Sequence, residues 1–434
     1  MSADKRQHKG RGKTEREQAL DGIIAVLERK EFIQDALAGL SPAAEEGVRR
    51  YVARVVRGVT ERAPELDQRI ASCSTMKLRR MHPVVRNVLR LGAYEIYYMD
   101  SIPAAASVNE CVALVRKKKQ LRAAGMVNAI LRRLASDTQK EEAASTKDLS
   151  MPEWIYEMWA GRFGTEKADA MCASFLKEKA LVLRGNDHWI TREELEEYLT
   201  AQGADPKPVE GIPMAFACRP GTAVERFLEE GQGRFYIQDA GSIEVMQAVK
   251  LRPGDRVLDC CGAPGGKSIY AANRLGDTGL VESRDRSDRK VALIRENIRQ
   301  SRFHNMIARR WDATVWDPES EAAFDVVLAD VPCSGLGVLG RKPEIKYRLR
   351  REDITVLCEI QKRILECVCG YVKPKGQLLY ATCTVTEEEN EAQVRGFLLR
   401  HPEFEMCRER QIFPGEGQPP RDGFYYCLMR RRDE

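Results

Sequence analysis

Two cysteines occupy positions that suit chemistry better than packing. Cys333, in Asp330-Val-Pro-Cys333, follows one predicted strand, and Cys383, in Ala381-Thr-Cys383, follows another. Most cysteines of a reduced protein are small, inert hydrophobic residues, but thiols at strand ends suit covalent catalysis. A thiolate that adds to C6 of cytosine makes C5 a nucleophile, and a second group must later remove the C5 proton. Asp330, if it is protonated, would stabilise the charge that develops at N3.

Acidic residues follow several strands of the same region. Predicted strands lead to Asp259, Asp285, Asp312 and Asp330. In an open α/β sheet, ligands bind at the carboxyl ends of the strands. A single Asp at such a place is more often a helix cap, but four in series favour a ligand-binding site.

A glycine-rich loop follows the first of these strands and reads Asp259-Cys-Cys-Gly-Ala-Pro-Gly-Gly-Lys267-Ser268. A P-loop, GxxxxGK(S/T), would require Gly at the position of Cys261, and the dinucleotide pattern GxGxxG is absent. A turn of small residues that enters a helix lets a ligand approach the backbone closely. Together with the strand-end acids, it suits a ligand with an amino-acid carboxylate and a ribose, a description that S-adenosylmethionine fits.

The elements that must position these residues begin at about Gly254, where apolar strands alternate with helices. That rhythm is typical of a parallel sheet with crossover helices. The predicted strands are Arg256–Leu258, Leu280–Val281, Met306–Ala308, Phe324–Leu328, Gln377–Tyr380 and Gly423–Met429. We therefore predict a Rossmann-like α/β catalytic domain over residues 236–434.

The first half of the chain has a different pattern. Residues 14–135 carry apolar residues at helical spacing, which predicts an all-α domain over residues 1–140. The polar stretch 137–150 is interpreted as a linker and residues 1–13 as a basic arm. Residues 150–235 mix short strands with a helix that begins after Thr191, which predicts a small α+β connecting domain.

Composition excludes several classes of protein. The 434 residues include thirteen cysteines and five histidines, without a CxxC pair, which argues for reduced thiols and against a zinc site or any other metal. No apolar run reaches the ~18–20 residues of a membrane helix, and no secretory signal is present, so we expect a cytoplasmic protein. Residues 1–140 hold 27 Lys and Arg against 16 Asp and Glu, whereas the net charge of the whole chain is only +5. This basic region suggests a polyanionic partner, with a merely solvated surface as an equal alternative.

The motifs together resemble those of the RNA cytosine-C5 methyltransferases. The segments DCCGAPGGKS, ADVPCSGLGVLGRKPEIKYR and YATCTVTEEEN look most like the small-subunit ribosomal RNA methyltransferase B (RsmB/Sun) group. Near the N-terminus, LRLGAYEIYYMDSIPAAASVNECVALVRK and MVNAILRRL resemble the helical RNA-binding fold of the NusB antitermination factor. The resemblance implies S-adenosylmethionine-dependent methylation of C5 of a cytosine in 16S ribosomal RNA, the cytosine at position 967, through a covalent Cys–C6 intermediate.

The resemblance also implies a role for each matching residue of the catalytic domain. Cys383 would attack C6, Cys333 would assist release of the product, and Asp330 would lie between cofactor and base. Lys346, in the PEIKYR stretch, would lie near the substrate.

The same resemblance assigns residues to the cofactor. Asp285 would bind the ribose hydroxyls, with Glu282 as the alternative, and Asp312 would face the adenine. Gly262 stands where Ala is commoner in the group, a difference expected to matter little. The methionine part of the cofactor would contact the loop residues Cys261, Gly262, Ala263, Pro264, Gly265, Gly266 and Lys267.

RNA is the implied partner of the basic region, and the chain is expected to be a monomer. The run Arg116, Lys117, Lys118 and Lys119 would contact RNA phosphates, or would simply be a solvated face that suits the end of a helix. Two rival functions remain at this point, a transfer RNA cytosine-C5 methyltransferase and a non-enzymatic assembly or antitermination factor. The pair of thiols argues against the second rival, because a protein that only binds RNA would not need two thiols at the ligand-binding edge of the sheet.

Overall fold

The computed structural model describes residues 13–39, 45–136, 151–219, 231 and 233–433. They belong to two compact units. The helical unit comprises Met1–Leu176 together with Lys342–Arg348, and the sheet unit comprises Lys177–Arg341 and Leu349–Glu434. The predicted linker at 137–150 and all but one residue of the predicted basic arm lie outside the described residues. The domain boundaries at 140, 150 and 236 stay predictions.

The helical unit confirms the predicted all-α fold. Its apolar residues recur every three or four positions, so each long helix buries one stripe against its neighbours. The helices before residue 177 are α1 (Glu15–Leu27), α2 (Ile33–Ala38), α3 (Glu46–Ser72), α4 (Pro83–Tyr98), α5 (Ala104–Lys117), α6 (Ala124–Ser136), α7 (Glu153–Phe163) and α8 (Thr165–Leu176).

A small antiparallel sheet opens the sheet unit, as the predicted α+β connecting domain requires. Its strands lie in the order β2-β3-β1-β4. Phe216 and Phe235 of this sheet pack against Leu195 and Leu199 of the helix that follows β1. The elements are β1 (Leu181–Gly185), α9 (Arg192–Ala201), β2 (Lys207–Val209), β3 (Ile212–Cys218) and β4 (Phe235–Ile237).

The large sheet has seven strands in the order β10-β11-β9-β8-β5-β6-β7. Strands β5 to β9 pair in parallel, whereas β11 and β10 extend the sheet in antiparallel fashion. This is the predicted Rossmann-like sheet. Its strands are β5 (Arg256–Asp259), β6 (Leu280–Asp285), β7 (Met306–Arg310), β8 (Phe324–Asp330), β9 (Val372–Thr382), β10 (Phe404–Ile412) and β11 (Phe424–Arg431).

Five further described helices belong to the sheet unit and lie before, between or after these strands along the chain. These are α10 (Ala240–Gln247), α11 (Gly266–Leu275), α12 (Asp288–Ser301) and α14 (Arg351–Val368), followed by α15 (Glu391–Arg400) after β9. The short helix α13 (Ile345–Arg348) belongs to the helical unit. Across the described ranges, no helix is long and apolar enough to cross a membrane.

Strand β10 has no counterpart among the predicted strands. It lies at the edge of the sheet, and five consecutive residues after Phe404 are exposed. A charged edge strand lacks the alternation that marks a half-buried strand, and charge at an edge discourages pairing with other chains. The sequence FEMCRERQI therefore gave no strand signal.

Candidate active site

The glycine-rich loop leads from the end of β5 into the N-terminus of α11. Gly265 adopts a φ of +117°, a conformation that residues with a side chain rarely adopt. A Cβ atom placed on Gly265 or on Gly266 would meet no other atom closer than 3.8 Å. The start of this helix therefore has open space beside backbone N–H groups that lack intrahelical partners.

The floor of the loop is a polar network built on Asp259, one of the four strand-end acids, and on two serines that carried no functional prediction. Ser268 Oγ donates to Asp259 Oδ2 at 2.6 Å and lies at hydrogen-bond distance, 2.9 Å, from Ser283 Oγ. Burial raises the pKa of Asp259 to about 6, and its Oδ1 has no hydrogen-bond partner within the described part of the chain. The signal for this residue was its place at the end of the first strand.

Ser283 also explains why one position of the loop is glycine. A Cβ on Gly262 would lie 2.1 Å from Ser283 Oγ and about 3.0 Å from the Asp259 carboxylate. Glycine at position 262 thus leaves room for the hydroxyl beneath it, and an alanine here would force Ser283 or the loop to shift.

Asp285 and Glu282, the two candidates for the ribose, lie on the same strand but in different surroundings. Glu282 is buried and accepts a hydrogen bond from Arg284 Nε at 2.6 Å, and Arg284 Nη1 also lies 3.0 Å from Asp317 Oδ2. This buried ion network explains how a strand reading Val-Glu-Ser-Arg can lie inside a sheet. Asp285 is also buried and ends the strand, where it accepts from Ser287 N at 3.0 Å and pairs with the exposed Lys290, whose Nζ lies 3.3 Å from Oδ2. The choice of Asp285 over Glu282 for the ribose stays a prediction.

Asp312 follows β7 and is exposed. Its Oδ1 accepts from the backbone N of Thr314 at 2.9 Å and from Thr314 Oγ1 at 2.7 Å. These two hydrogen bonds lower the pKa of Asp312. The carboxylate is therefore fixed in place and charged at neutral pH.

An ion pair joins the loop to the end of β8. Lys267 Nζ lies 2.7 Å from Asp330 Oδ2, and the Lys267 side chain is only 11% exposed. Burial is the largest single effect and lowers the pKa of Lys267, but the charge and hydrogen bond of Asp330, together with the charges of Asp259 and Cys383, raise it overall. Cys383 also interacts electrostatically with the ammonium group.

The two predicted thiols are next to each other. Cys333 Sγ lies 3.3 Å from Cys383 Sγ, and the backbone N of Cys383 donates to Cys333 Sγ, also at 3.3 Å. Adjacent parallel strands β8 and β9 produce this proximity, because Asp330 pairs with Ala381 at their ends. The neighbouring Cys383 thiol, followed by burial, raises the pKa of Cys333 well above its ordinary value.

Comparison with known proteins identifies the chain. A model of the 16S rRNA methyltransferase RsmB/F family matches residues 246–430, and a model of the RsmF/B-like ferredoxin-like domain matches residues 151–225. The chain is 32% identical over 418 residues to ribosomal RNA small subunit methyltransferase B of Thermus thermophilus. The matching region covers 93% of this chain and 94% of that protein. The chain belongs to the RsmB/F family.

Solved structures agree with the RsmB/F fold. The crystal structure of PH0851 superposes with a TM-score of 0.78 at 21% identity and covers 97% of this chain and 100% of that chain. The crystal structure of NSun6 from Pyrococcus horikoshii with SFG gives a TM-score of 0.57 at 18% identity, over 65% of this chain and 99% of that chain. At these identities the likeness concerns the fold alone.

The helical unit of this RsmB/F protein contains the residues expected to contact RNA, and a NusB family model matches residues 13–136. Lys117 Nζ lies 2.7 Å from Glu17 Oε2, and Lys118 Nζ lies 2.9 Å from Asp21 Oδ1. Arg116 and Lys119 are exposed. Two cations of the basic run therefore pair with acids of α1, Lys117 while 55% exposed, and the other two, Arg116 and Lys119, are exposed.

Lys346, expected near the substrate, lies in the helical unit. Its side chain is buried in the helical unit, where Nζ donates to the backbone oxygen of Glu61 at 2.7 Å. The neighbouring Tyr347 hydroxyl donates to Thr60 O at 2.9 Å. Burial lowers the pKa of Lys346 to about 7. The ammonium group of Lys346 is thus enclosed and bonded within the helical unit, and its expected place near the substrate stays a prediction.

Proposed function

We propose that this RsmB/F protein methylates C5 of a cytosine in small-subunit ribosomal RNA, with Cys383 as the nucleophile that adds to C6. The observation that carries the proposal is the pair of thiols 3.3 Å apart, next to the Lys267–Asp330 ion pair, at the carboxyl edge of the sheet. Membership of the RsmB/F family supports ribosomal RNA methylation and S-adenosylmethionine as the methyl donor. The cytosine at position 967 of 16S rRNA is the proposed target.

The loop and the strand ends fit this cofactor. The space at Gly265 and Gly266 can receive an amino-acid carboxylate against the N–H groups of α11, since anions are favoured at helix N-termini. Asp285 offers a carboxylate to ribose hydroxyls, and Asp312 would lie on the adenine side. When bound, S-adenosylmethionine supplies an electrophilic methyl group at its sulfonium.

Cys383 is the better placed of the two thiols for attack. The ammonium of Lys267 lies in its electrostatic surroundings and favours a negative sulfur. Addition of the Cys383 thiolate to C6 would move an electron pair towards C5 and N3, which makes C5 nucleophilic. After the methyl group has been transferred, removal of the C5 proton would restore the double bond and expel the sulfur from C6.

Cys333 is the proposed helper in that last step. It lies within contact of Cys383 Sγ, so it is close to the carbon from which the sulfur must depart. Cys333 would take up the C5 proton, directly or through a water molecule, as a thiolate, and bonding of Cys383 to C6 would remove the neighbouring thiol that raises the pKa of Cys333 most.

Asp330 is expected to stabilise charge at N3. That expectation required a protonated carboxyl group, whereas the structure pairs Asp330 with the Lys267 ammonium at 2.7 Å. We therefore propose that the ion pair acts as a unit and that Lys267 supplies the positive charge which a protonated Asp330 was expected to supply.

Transfer of a labelled methyl group tests the function. Purified protein, labelled S-adenosylmethionine and separate pools of ribosomal and transfer RNA should give label in small-subunit rRNA, and digestion should release it as 5-methylcytosine. The Cys383→Ser variant is the control for contaminating activities. Label in transfer RNA alone would replace the proposed substrate, and label at a base other than cytosine would refute the proposed chemistry.

A further inference from the structure

Two adjacent buried residues, Glu389 and Asn390, link the two thiol-bearing segments of the sheet unit. They follow β9 in the sequence TVTEEEN, and both are fully buried. Neither residue is part of the chemistry proposed above. Their side chains make all their described hydrogen bonds near the two cysteines or the strands that carry them.

Glu389 holds the residues on both sides of Cys333. Its Oε1 accepts from Ser334 N at 2.8 Å and from Gln361 Nε2 at 3.0 Å, and Oε2 accepts from Ser334 Oγ at 2.5 Å. Gln361 Nε2 also donates to Pro332 O at 3.0 Å. The carboxylate thus fixes Ser334 directly and Pro332 through Gln361, so Cys333 is held from its two neighbours.

The charge of Glu389 is unusual for a buried carboxylate. A fourth donor, Thr386 Oγ1, lies 2.7 Å from Oε2, and no Lys, Arg or His within the described ranges forms an ion pair with it. A buried charge without an ion pair is costly unless hydrogen bonds satisfy it. Four donors converge here on one carboxylate, which makes the loop geometry dependent on this side chain.

Asn390 holds the residues on both sides of Cys383 in a similar way. Its Oδ1 accepts from Thr382 Oγ1 at 2.6 Å, and its Nδ2 donates to Thr384 O at 3.2 Å and to Gln411 Oε1 at 2.9 Å. Asn390 is the N-cap residue of α15, yet its side chain makes no capping hydrogen bond. Asparagine at an N-cap ordinarily bonds to the first turn of its helix, so this side chain serves the strand end instead.

We propose that Glu389 and Asn390 are positioning residues, Glu389 for Cys333 and Asn390 for Cys383, and that together they set the distance between the two thiols. The proposal rests on the proposed function for its catalytic consequences. Ser334 Oγ and Thr384 Oγ1, which lie 2.7 Å apart, join the two halves of the arrangement.

Alanine substitutions of the two residues should therefore impair different steps of the reaction. Glu389→Ala frees Cys333, so attack and methyl transfer continue but release slows. We expect turnover about 100-fold lower, the order of loss that a misplacement of ~1 Å can cause, and accumulation of an RNA–protein adduct that survives denaturation. Asn390→Ala frees Cys383, so it should lower the single-turnover rate of methyl transfer without accumulating the adduct. Affinity for S-adenosylmethionine, measured by calorimetry, should remain unchanged in both variants.

The Glu389→Gln variant separates the two effects of Glu389 on Cys333, namely the hydrogen bonds that fix its position and the negative charge near its sulfur. The amide oxygen can accept from Ser334 N and Gln361, and its NH2 group can donate to the Ser334 and Thr386 hydroxyls, so the hydrogen bonds survive while the charge is lost. The titratable groups that face Cys333 are Cys383, Glu389 and Tyr380, and the Glu389 charge contributes to the raised pKa of Cys333.

Alkylation of Cys333 provides a readout that does not require RNA methylation. In the Cys383→Ser background, the rate of modification by iodoacetamide at Cys333 is measured against pH by peptide mass spectrometry. Adding Glu389→Gln should move the profile to lower pH by about one unit, because a nearby negative charge disfavours the thiolate. Glu388→Gln, which changes an exposed carboxylate on the same loop, is the matched control and should leave the profile unchanged.

Several results would overturn the proposal. These are wild-type turnover in Glu389→Ala, adduct accumulation in Asn390→Ala, loss of turnover in Glu389→Ala without an adduct, and identical alkylation profiles with and without Glu389→Gln. If the unaltered protein formed no 5-methylcytosine, the proposed function would fail, and the alkylation profiles alone would decide the role of Glu389. Glu389→Gln also keeps the test available if Glu389→Ala does not fold.

Discussion

The carboxyl edge of the large sheet gathers residues that are far apart along the chain, whereas the basic run at 116–119 separates residues that are adjacent. Cys333 and Cys383, fifty positions apart, bring their sulfur atoms within 3.3 Å. Lys117, by contrast, pairs with Glu17 although it is exposed, whereas no acid among the described residues pairs with its exposed neighbour Arg116. Strand topology fixes where a residue at a strand end must lie, but the availability of a cation on a helix depends on which acids its neighbouring helices present.

The largest effect expected at the sheet edge is the loss of catalysis in Cys383→Ser. A serine hydroxyl ionises far less readily than a thiol of pKa ~8.5, so attack on C6 should cease. Labelled methyl transfer should fall to background, and no covalent RNA adduct should form. This outcome would sharpen the contrast with the basic run, because a single sulfur atom at the carboxyl edge of the sheet would then control the whole reaction.

Cys333→Ser is the matched variant at the neighbouring position. It should still attack and transfer the methyl group, then remain joined to RNA through Cys383, which gives a slowly migrating band on denaturing electrophoresis. The double variant with Cys383→Ser should lose that band. A band from Cys383→Ser alone would mean that the two roles are reversed, and intact methylation without any adduct would exclude the covalent mechanism.

The topology-dependent part of this site was predictable from the sequence, and the contact-dependent part was not. Cys333, Cys383 and Asp330 follow apolar strands, so their common edge could be predicted before any coordinates. Lys346 lies between motif residues, but its side chain is buried against Glu61 in the helical unit. Glu389 was hidden within a run of three glutamates, because spacing alone does not show which of them is enclosed.

The next largest effect concerns the cofactor. Asp285→Ala should weaken S-adenosylmethionine binding about tenfold or more, since the ribose hydroxyls would lose a charged acceptor worth ~1.5–3 kcal/mol. Titration calorimetry measures the change directly. Asp288→Ala, which removes an exposed carboxylate at the start of α12, is the control and should bind normally. Unchanged affinity in Asp285→Ala would direct the search to Glu282.

A smaller effect, on stability, is expected beneath the glycine-rich loop. Gly262→Ala places a Cβ 2.1 Å from Ser283 Oγ and should destabilise the fold by about 1–3 kcal/mol, as overpacking does. Adding Ser283→Ala should recover part of that loss, and denaturant unfolding of the four proteins of this cycle measures the coupling. Gly266→Ala, which has open space, serves as the control. Equal stabilities of Gly262→Ala and the unaltered protein would show that the loop yields to the methyl group.

The smallest expected effect tests the other side of the comparison, the basic run. A truncation of residues 1–140 would also expose the segment Lys342–Arg348, which packs within the helical unit, so single substitutions are the cleaner probe. Arg116→Ala and Lys119→Ala should each weaken RNA binding uniformly across sequences and reduce the slope of log K against log salt by about one. Lys118→Ala should change the slope less, because its cation is already neutralised by Asp21. Equal slopes for all three variants would mean that ion pairs with the acids of α1 do not decide which cations contact RNA. The contrast drawn between the sheet edge and the basic run would then be wrong.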